Sequence, residues 1–220
     1  SLRNLKFLLH EVFDAVSLAD FERYADYDKE AYDMTLEAAK QISDQHLFPI
    51  YREMDKNKAY FKDGTVYVHP NLREAYTAIA EGGWLNALDS YEEGGQQMPL
   101  TLFNAGVFIF YAANANAASP SQLTVGAANL IKTFGSQQLK DKYLPKMHSM
   151  EWQGTMALTE PQAGSSLSDI TSTAYPQADG SYKIKGQKIY ISAGDHNAVD
   201  NVIHLLLARI EGAPAGTKGI

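Results

Sequence analysis

The stretch MALTEPQAGSS, residues 156–166, lies where the pattern of the chain changes from helical to strand-like. It contains one carboxylate, one glycine and three small hydroxyl residues, which occur in several kinds of ligand-binding loop. A P-loop requires the spacing G-x-x-x-x-G-K-[ST], and a dinucleotide-binding fingerprint requires three glycines that open a helix. The stretch has one glycine and no lysine, so neither phosphate-binding loop fits. An ordinary turn after a strand and a cradle built from backbone donors both remain open.

Glu160 is the one carboxylate of this stretch and invites a catalytic interpretation. A general base must lie within hydrogen-bond reach of its substrate and usually has a raised pKa. The sequence indicates neither condition, and a single glutamate in a turn is typical of a structural or solvated role. Gly164 and the hydroxyls of Thr159 and Ser165 are better candidates for ligand contacts, because glycine lets the main chain approach a ligand closely.

Helical periodicity and capping residues dominate the chain up to residue 150. Apolar residues recur at spacings of three and four, and prolines, glycines and small polar residues separate these repeats. We therefore predict a helical domain over residues 1–150, with about six helices and one hairpin at Asp63-Gly64. The first predicted helix lies near residues 5–13, and the second is capped by Asp28, carries Tyr32, Leu36, Ala39 and Ile42 on one face, and is kinked or ended near Pro49. The third runs from Pro70 to Ala80, and the fourth begins at Pro99. The fifth runs from Ser119-Pro120 to Gly135, and the sixth runs from Ser136 to Leu144, where Pro145 stops it.

The pattern changes to a period of two after Trp152. Asp179-Gly180 between strand-forming residues predicts a hairpin, QKIYIS (187–192) resembles a strand end, and NVIHLLLARI (201–210) predicts a buried strand. We expect an α+β protein whose antiparallel β domain covers residues 151–220 and is incomplete there. The chain does not begin with Met and stops at GTKGI, which resembles the middle of a strand, so we expect further chain to follow.

Composition excludes several classes of function. The net charge of −7 disfavours nucleic acids and anionic membrane surfaces as partners, since both need clustered cations. The chain has no cysteine, which excludes thiolate chemistry and cysteine-based metal sites and fits a cytoplasmic location. None of the six histidines is paired at the spacing of a helical metal site, and no serine lies in a G-x-S-x-G elbow, so we expect neither a metal nor a serine nucleophile. The apolar region from Met98 to Ala118 is interrupted by three asparagines and is interpreted as a buried helix.

Two motifs in order resemble the flavin-binding signature of the acyl-CoA dehydrogenases. The family pattern L/V-T-E-P-x-A-G-S-D is similar to residues 158–166, and G-x-K-x-(aromatic)-I-(Thr/Ser) is similar to GQKIYIS, residues 186–192. The segments LKFLLHEVFD and NVIHLLLARIEGAPAGTKGI resemble the branch of the family with longer chains. The chain departs from the pattern at three positions: Ser166 replaces Asp, Tyr190 replaces a common Trp, and Ser192 replaces a common Thr.

The resemblance implies an N-terminal helical domain, a middle β domain and a C-terminal helical bundle that is absent from these residues. It also implies FAD as cofactor, and a reaction in which a base removes the α-proton of a fatty acyl-CoA while the β-hydrogen leaves as hydride to flavin N5. The base would come from the C-terminal domain, so no catalytic residue is assigned to this chain, which by itself is expected to be inactive. Other implied features are β-oxidation, an electron-transfer flavoprotein as electron acceptor, and a homodimer or other homo-oligomer.

The resemblance also implies which residues contact the cofactor. Met156, Leu158 and Thr159 would face the edge of the isoalloxazine. Gly164 and Ser165 would lie near the phosphates and the substrate. Tyr190, Ile191 and Ser192 would cover or flank the flavin ring. The segment from Ser119 to Ala127 would help to line an acyl pocket. Two other functions stay open: a non-enzymatic scaffold of the same fold, and an acyl-CoA oxidase.

Overall fold

Helices occupy most of residues 3–148 in the computed structural model, which describes all residues, 1–220. Short 3₁₀ turns and one hairpin interrupt them. The helices are α1 (Arg3–Phe7), α2 (Lys29–Ile42), α3 (Phe48–Lys56), α4 (Leu72–Glu81), α5 (Leu100–Phe134) and α6 (Gln137–His148). The strands are β1 (Tyr60–Lys62), β2 (Thr65–Tyr67), β3 (Trp152–Ala157), β4 (Thr173–Pro176), β5 (Tyr182–Lys185), β6 (Asn201–Leu206) and β7 (Arg209–Ile210). None of the helices is both long enough and apolar enough to cross a bilayer.

The second helix shows why these residues are helical. The Asp28 carboxylate caps α2 by accepting a hydrogen bond from the Ala31 N–H at 2.8 Å, as predicted. Tyr32 and Leu36 on its inner face are fully buried in the core cluster, which they share with residues of α4 and α5. The apolar face of α2 therefore both stabilises this helix and determines which helices pack against it.

The long central helix α5 bends at an asparagine. Asn114 has φ −164° and ψ 92°, which interrupts the helical backbone between the two halves of α5. Its side chain caps the second half by accepting from the Ala117 N–H at 3.1 Å and donates to the Leu47 carbonyl at 3.2 Å. The predicted start at Ser119-Pro120 is wrong, because the Asn114 amide supplies the hydrogen bonds that a break in a helix requires.

Pro49 lies where one helix gives way to the next, whereas Pro145 has a milder effect than predicted. Pro49 lies in the first turn of α3, directly after a wide helical turn over residues 43–47 that continues α2. Pro145 lies inside α6 and does not stop it, since the helix continues to His148. The carbonyl that Pro145 leaves without a donor belongs to Asp141, which is exposed, so water can hydrate it.

The strands form three small sheets of mixed direction. β1 and β2 form an antiparallel hairpin, and β4 pairs antiparallel with β5, as the two Asp-Gly turns predicted. β3 pairs parallel with β6, and β4 pairs parallel with β7. The α+β class is confirmed, but the sheets are not purely antiparallel, because the long connection from residue 158 to 200 returns the chain in the same direction.

The end of the chain also differs from its prediction. Strand β6 has three exposed and three half-buried residues, so the apolar run 201–210 is not a fully buried strand. GTKGI forms a short 3₁₀ turn over Thr217–Gly219 instead of the middle of a strand.

Helix α5 packs directly on strand β3. The Gly154 N–H donates to the Thr124 hydroxyl at 3.0 Å, and Thr124 donates in turn to the Pro120 carbonyl at 2.8 Å. A Cβ on Gly154 would lie 2.5 Å from the Cβ of Ala127, so only glycine allows this approach. The contact fixes the start of the β part, and with it the MALTEPQAGSS loop, against the helices.

Candidate functional site

The two motif segments, residues 158–166 and 186–192, contact each other through residues 158–160 of the first segment. The Ile189 N–H donates to the Thr159 carbonyl at 2.9 Å. The Lys188 ammonium donates to the Leu158 carbonyl at 2.9 Å and to Oε1 of Glu160 at 2.8 Å. We call this set of contacts between residues 158–160 and 188–189 the joint. It brings together two segments that are some thirty residues apart in sequence.

Glu160 is a structural carboxylate at the centre of the joint. Its side chain is 1 % exposed and that of Lys188 is 9 % exposed, so the ion pair is buried. Besides Lys188, it accepts the N–H groups of Thr171 at 2.7 Å and of Ser172 at 3.0 Å. The Thr171 hydroxyl and the Gln162 amide complete five hydrogen bonds. Burial alone would raise the pKa of Glu160, but the hydrogen bonds from Lys188, Ser172 and Thr171 outweigh it and hold that pKa well below its usual range.

A second anchor holds the far end of the QKIYIS segment. The Gln153 amide on β3 donates to the Ala193 carbonyl at 2.8 Å, and its oxygen lies 2.9 Å from Nε2 of His196. The other ring nitrogen of His196 accepts the Ala198 N–H at 3.2 Å, so Nε2 carries the proton and donates to Gln153. Burial lowers the pKa of His196, which fits this neutral ring.

Between the two anchors the segment is irregular and exposed. Residues 186–192 form no strand, so the predicted strand end is wrong. Tyr190 has φ +57° and Ala193 has φ +49°, values in the left-handed region that interrupt any ladder. The Tyr190 side chain is 90 % exposed and contributes nothing to the core. Positive φ angles strain the backbone of residues other than glycine, and such strained residues are common at ligand-binding sites.

The exposed backbone of both segments carries free hydrogen-bond donors. The N–H groups of Thr159, Gly164 and Ser165 make no hydrogen bond within the chain, and neither do those of residues 190–193. At Gly164, a Cβ would meet only the Thr159 methyl, at 4.0 Å. The protein itself therefore leaves room beside Gly164, which a ligand can occupy.

The structure places the other predicted contact residues near the same loops. Met156 is 42 % exposed on β3, Ser192 is exposed, and Leu158 and Ile191 are half-buried. All eight predicted cofactor residues thus lie on β3, on the loop that follows it or on the QKIYIS segment.

The predicted acyl-pocket segment, Ser119 to Ala127, is divided in the structure. Thr124 and Ala127 are buried against β3 and do not line the cavity that Pro120 reaches. Pro120 lines a cavity of about 450 Å³ between the β1–β2 hairpin, α4 and residues 191–196. Tyr76, whose side chain is almost fully buried, lines the same cavity.

Three residues that hold the site were not predicted: Gln153, Lys188 and His196. Lys188 carried a signal, since it is the lysine of the G-x-K motif, whereas Gln153 and His196 lie outside both motifs. Their role depends on a contact across 43 residues, which periodicity does not report.

Comparison with known proteins gives the family. Residues 29–151 match the family model "Acyl-CoA dehydrogenase, N-terminal domain". The chain is 32% identical over 219 residues to 3-methylmercaptopropionyl-CoA dehydrogenase of Ruegeria pomeroyi, and 35% identical over 229 residues to butyryl-CoA dehydrogenase of Syntrophomonas wolfei. Each alignment covers 100% of this chain, which spans 37% of the length of either relative.

A solved structure shares the fold. It is an acyl-CoA dehydrogenase of Bacillus anthracis in complex with FAD, with a TM-score of 0.68 and 23% identity over 86% of this chain and 30% of that chain. Enzymes of this family are FAD-dependent. The matched model covers more than half of the 220 residues, and this chain belongs to the acyl-CoA dehydrogenase family.

Proposed function

We propose that this chain forms one wall of the FAD site in an enzyme that oxidises an acyl-CoA thioester to its α,β-enoyl form. The observation that carries the proposal is the joint, where two motif segments present unpaired backbone donors on an exposed, anchored surface. FAD would supply the hydride acceptor, and its pyrimidine edge offers both donors and acceptors of hydrogen bonds.

The free donors fit the electrostatic needs of such a cofactor. Reduction places negative charge on the pyrimidine ring, and preorganised N–H groups and hydroxyls stabilise it without adding a competing base. We assign the flavin edge to Met156, Leu158 and Thr159, and the phosphates to Gly164 and Ser165. Tyr190, Ile191 and Ser192 would flank the ring.

Glu160 is unsuited to act as the base of this reaction. Five hydrogen bonds occupy its carboxylate, and its low pKa makes it a weak proton acceptor. This supports a base outside residues 1–220, as the family resemblance implies. We therefore expect the 220-residue chain alone to bind FAD weakly and to turn over no thioester.

The finer assignments follow from the same proposal. We take residues 1–150 and 151–220 as parts of two domains, a helical one and a β one. An electron-transfer flavoprotein is the proposed electron acceptor, and a homodimer is the proposed assembly. Fatty-acid β-oxidation in the cytoplasm is the proposed context.

The test uses the intact protein reconstituted with FAD. Anaerobic addition of a panel of acyl-CoA thioesters should bleach the flavin absorbance, and electron-transfer flavoprotein should reoxidise it. Ser192→Ala should weaken FAD binding several-fold through loss of one hydrogen bond, whereas Ser181→Ala, in the distant β4–β5 turn, should not. A protein that binds no FAD contradicts the proposal, and rapid peroxide formation in air would assign an oxidase instead.

A further inference from the structure

The buried Lys188–Glu160 pair lies behind the free Thr159 N–H of the first motif. Lys188 is not among the residues assigned to contact the cofactor, yet its ammonium binds the Leu158 carbonyl at 2.9 Å. The peptide unit that carries this carbonyl also carries the Thr159 N–H. No peptide bond of the chain is cis, so the carbonyl and the N–H point in opposite directions. The Thr159 N–H therefore points away from Lys188, and it has no partner within the chain.

Two consequences follow from this arrangement. A cation on the carbonyl oxygen polarises the peptide and makes its N–H a stronger donor, because hydrogen bonds in a low-dielectric site reinforce one another. The same ammonium, together with the Ile189 N–H on the Thr159 carbonyl, fixes the distance between the two motif segments. A ligand that contacts both segments depends on that distance.

Glu160 allows the Lys188 side chain to remain charged and ordered beside the Leu158 carbonyl. A buried ammonium without an anion would be strongly destabilised, and Glu160, at 2.8 Å, supplies the counter-charge. Glu160 itself is fixed from the other side by the N–H groups of Thr171 and Ser172. The loop 160–172 thus holds the lysine in position behind the first motif.

We propose that Lys188, held by Glu160, is a positioning residue of the flavin site that sets the spacing of the two motif segments and favours the reduced flavin through the Leu158–Thr159 peptide. The proposal rests on the FAD site proposed above. It assigns to Lys188 an effect on FAD affinity and on the reduction potential of the flavin, and no role in proton transfer.

The test measures FAD affinity and flavin reduction potential in the intact protein for Lys188→Met and Lys188→Arg. Lys188→Met should raise the dissociation constant of FAD about tenfold, the effect of one lost charge-assisted hydrogen bond. It should also move the potential to a more negative value. Lys188→Arg keeps the charge, so the reduction potential of the flavin in this variant should be closer to the wild-type value than in Lys188→Met.

The double variant Lys188→Met/Glu160→Gln separates positioning from simple charge compensation. It leaves no unpaired buried charge, so its unfolding temperature should lie above that of Lys188→Met, and it serves alone if the single variant does not fold. FAD affinity should remain weakened, because the Leu158 carbonyl still lacks its donor.

Three results would overturn the proposal: unchanged affinity and potential in Lys188→Met, an equal potential shift in Lys188→Arg, or wild-type FAD affinity in the double variant. The last result would make Lys188 only a counter-ion for Glu160. Failure of the wild-type protein to bind FAD would instead reject the proposed function, so the two failures can be told apart.

Discussion

Glu160 shows at the level of one residue how the environment decides what a carboxylate does. In sequence it is an isolated glutamate in a turn before a proline, which is compatible with a catalytic acid, a solvated residue or a structural one. In the fold it is buried and joins the two motif segments through Lys188. The structural interpretation is the one that its five hydrogen bonds support.

The depressed pKa of Glu160 predicts an acid-dependent stability. An unfolded glutamate has a pKa of 4.5, and that of Glu160 is lower in the folded chain. Its stabilisation is therefore complete above pH 4.5 and is lost as the pH falls toward the folded pKa. Glu160→Gln should lower the free energy of unfolding by about 3 kcal/mol at neutral pH, because it breaks a buried ion pair.

Urea unfolding of wild type and Glu160→Gln over a series of pH values tests this prediction. The difference between the two proteins should shrink as the pH falls below 4.5. Glu11→Gln is the matched control, since Glu11 is exposed and its side chain makes no hydrogen bond, and it should change stability by less than about 0.5 kcal/mol. If the difference in unfolding free energy between wild type and Glu160→Gln did not change with pH, the predicted contribution of the ionised Glu160 to stability would be wrong.

At the scale of elements, the contact between α5 and β3 positions the site. Gly154 on β3 approaches the helix closely enough to donate a hydrogen bond to Thr124. The first motif begins four residues later, so any shift of β3 on α5 also shifts the first motif. Helix and loop thus act as one unit.

Two glycine-to-alanine changes on either side of this contact should have opposite effects. In Gly154→Ala the new Cβ would lie 2.5 Å from that of Ala127 and 3.1 Å from Cα of Thr124. Overpacking of this kind destabilises by about 1–3 kcal/mol. Gly126 lies in α5, where an added Cβ would meet no heavy atom within 4 Å, so Gly126→Ala should stabilise by about 0.5–1 kcal/mol. Thermal unfolding of both variants measures the two signs, and a stable Gly154→Ala would show that the strand can move away from the helix.

The elements also show which boundaries a sequence pattern reports. Asp28 and both Asp-Gly turns acted as predicted, because a cap or a tight turn depends on neighbours within a few residues. Pro120 and Pro145 were expected to begin and to stop helices, and each instead lies inside one. The break at Asn114 depends on its bond to Leu47, a partner 67 residues away that no local pattern contains.

At the scale of the whole molecule, the helical and β parts share one core. The main cluster joins residues of α2, α4 and α5 with Ala198 and Val199 from the β part. A smaller cluster of α5 and α6 residues packs against Trp152 and Ile203 on the strands. We therefore expect the two parts of this chain to unfold together.

The two tryptophans make this expectation testable. Trp84 is buried in the helical core against Phe110, and Trp152 lies on β3. In Trp84→Phe, fluorescence reports only Trp152 while far-UV circular dichroism reports mainly the helices. The two unfolding midpoints should coincide, as for a cooperative unit. The reciprocal variant Trp152→Phe is the control, and a strand signal lost before the helical one would show that the two parts unfold separately.

The sequence by itself determined the α+β class, the change of pattern near residue 150, the capped helix after Asp28, the Asp-Gly hairpins and the two motif segments. Each of these depends on periodicity or on neighbours close in the chain, which the sequence contains directly. Tertiary structure alone decided the direction of β3 and β6, the bend at Asn114 and the joint of Lys188 with residues 158–160. These depend on partners far apart in sequence. A buried charge or amide takes its role from the groups that desolvate and bind it, and only the folded chain brings those groups together.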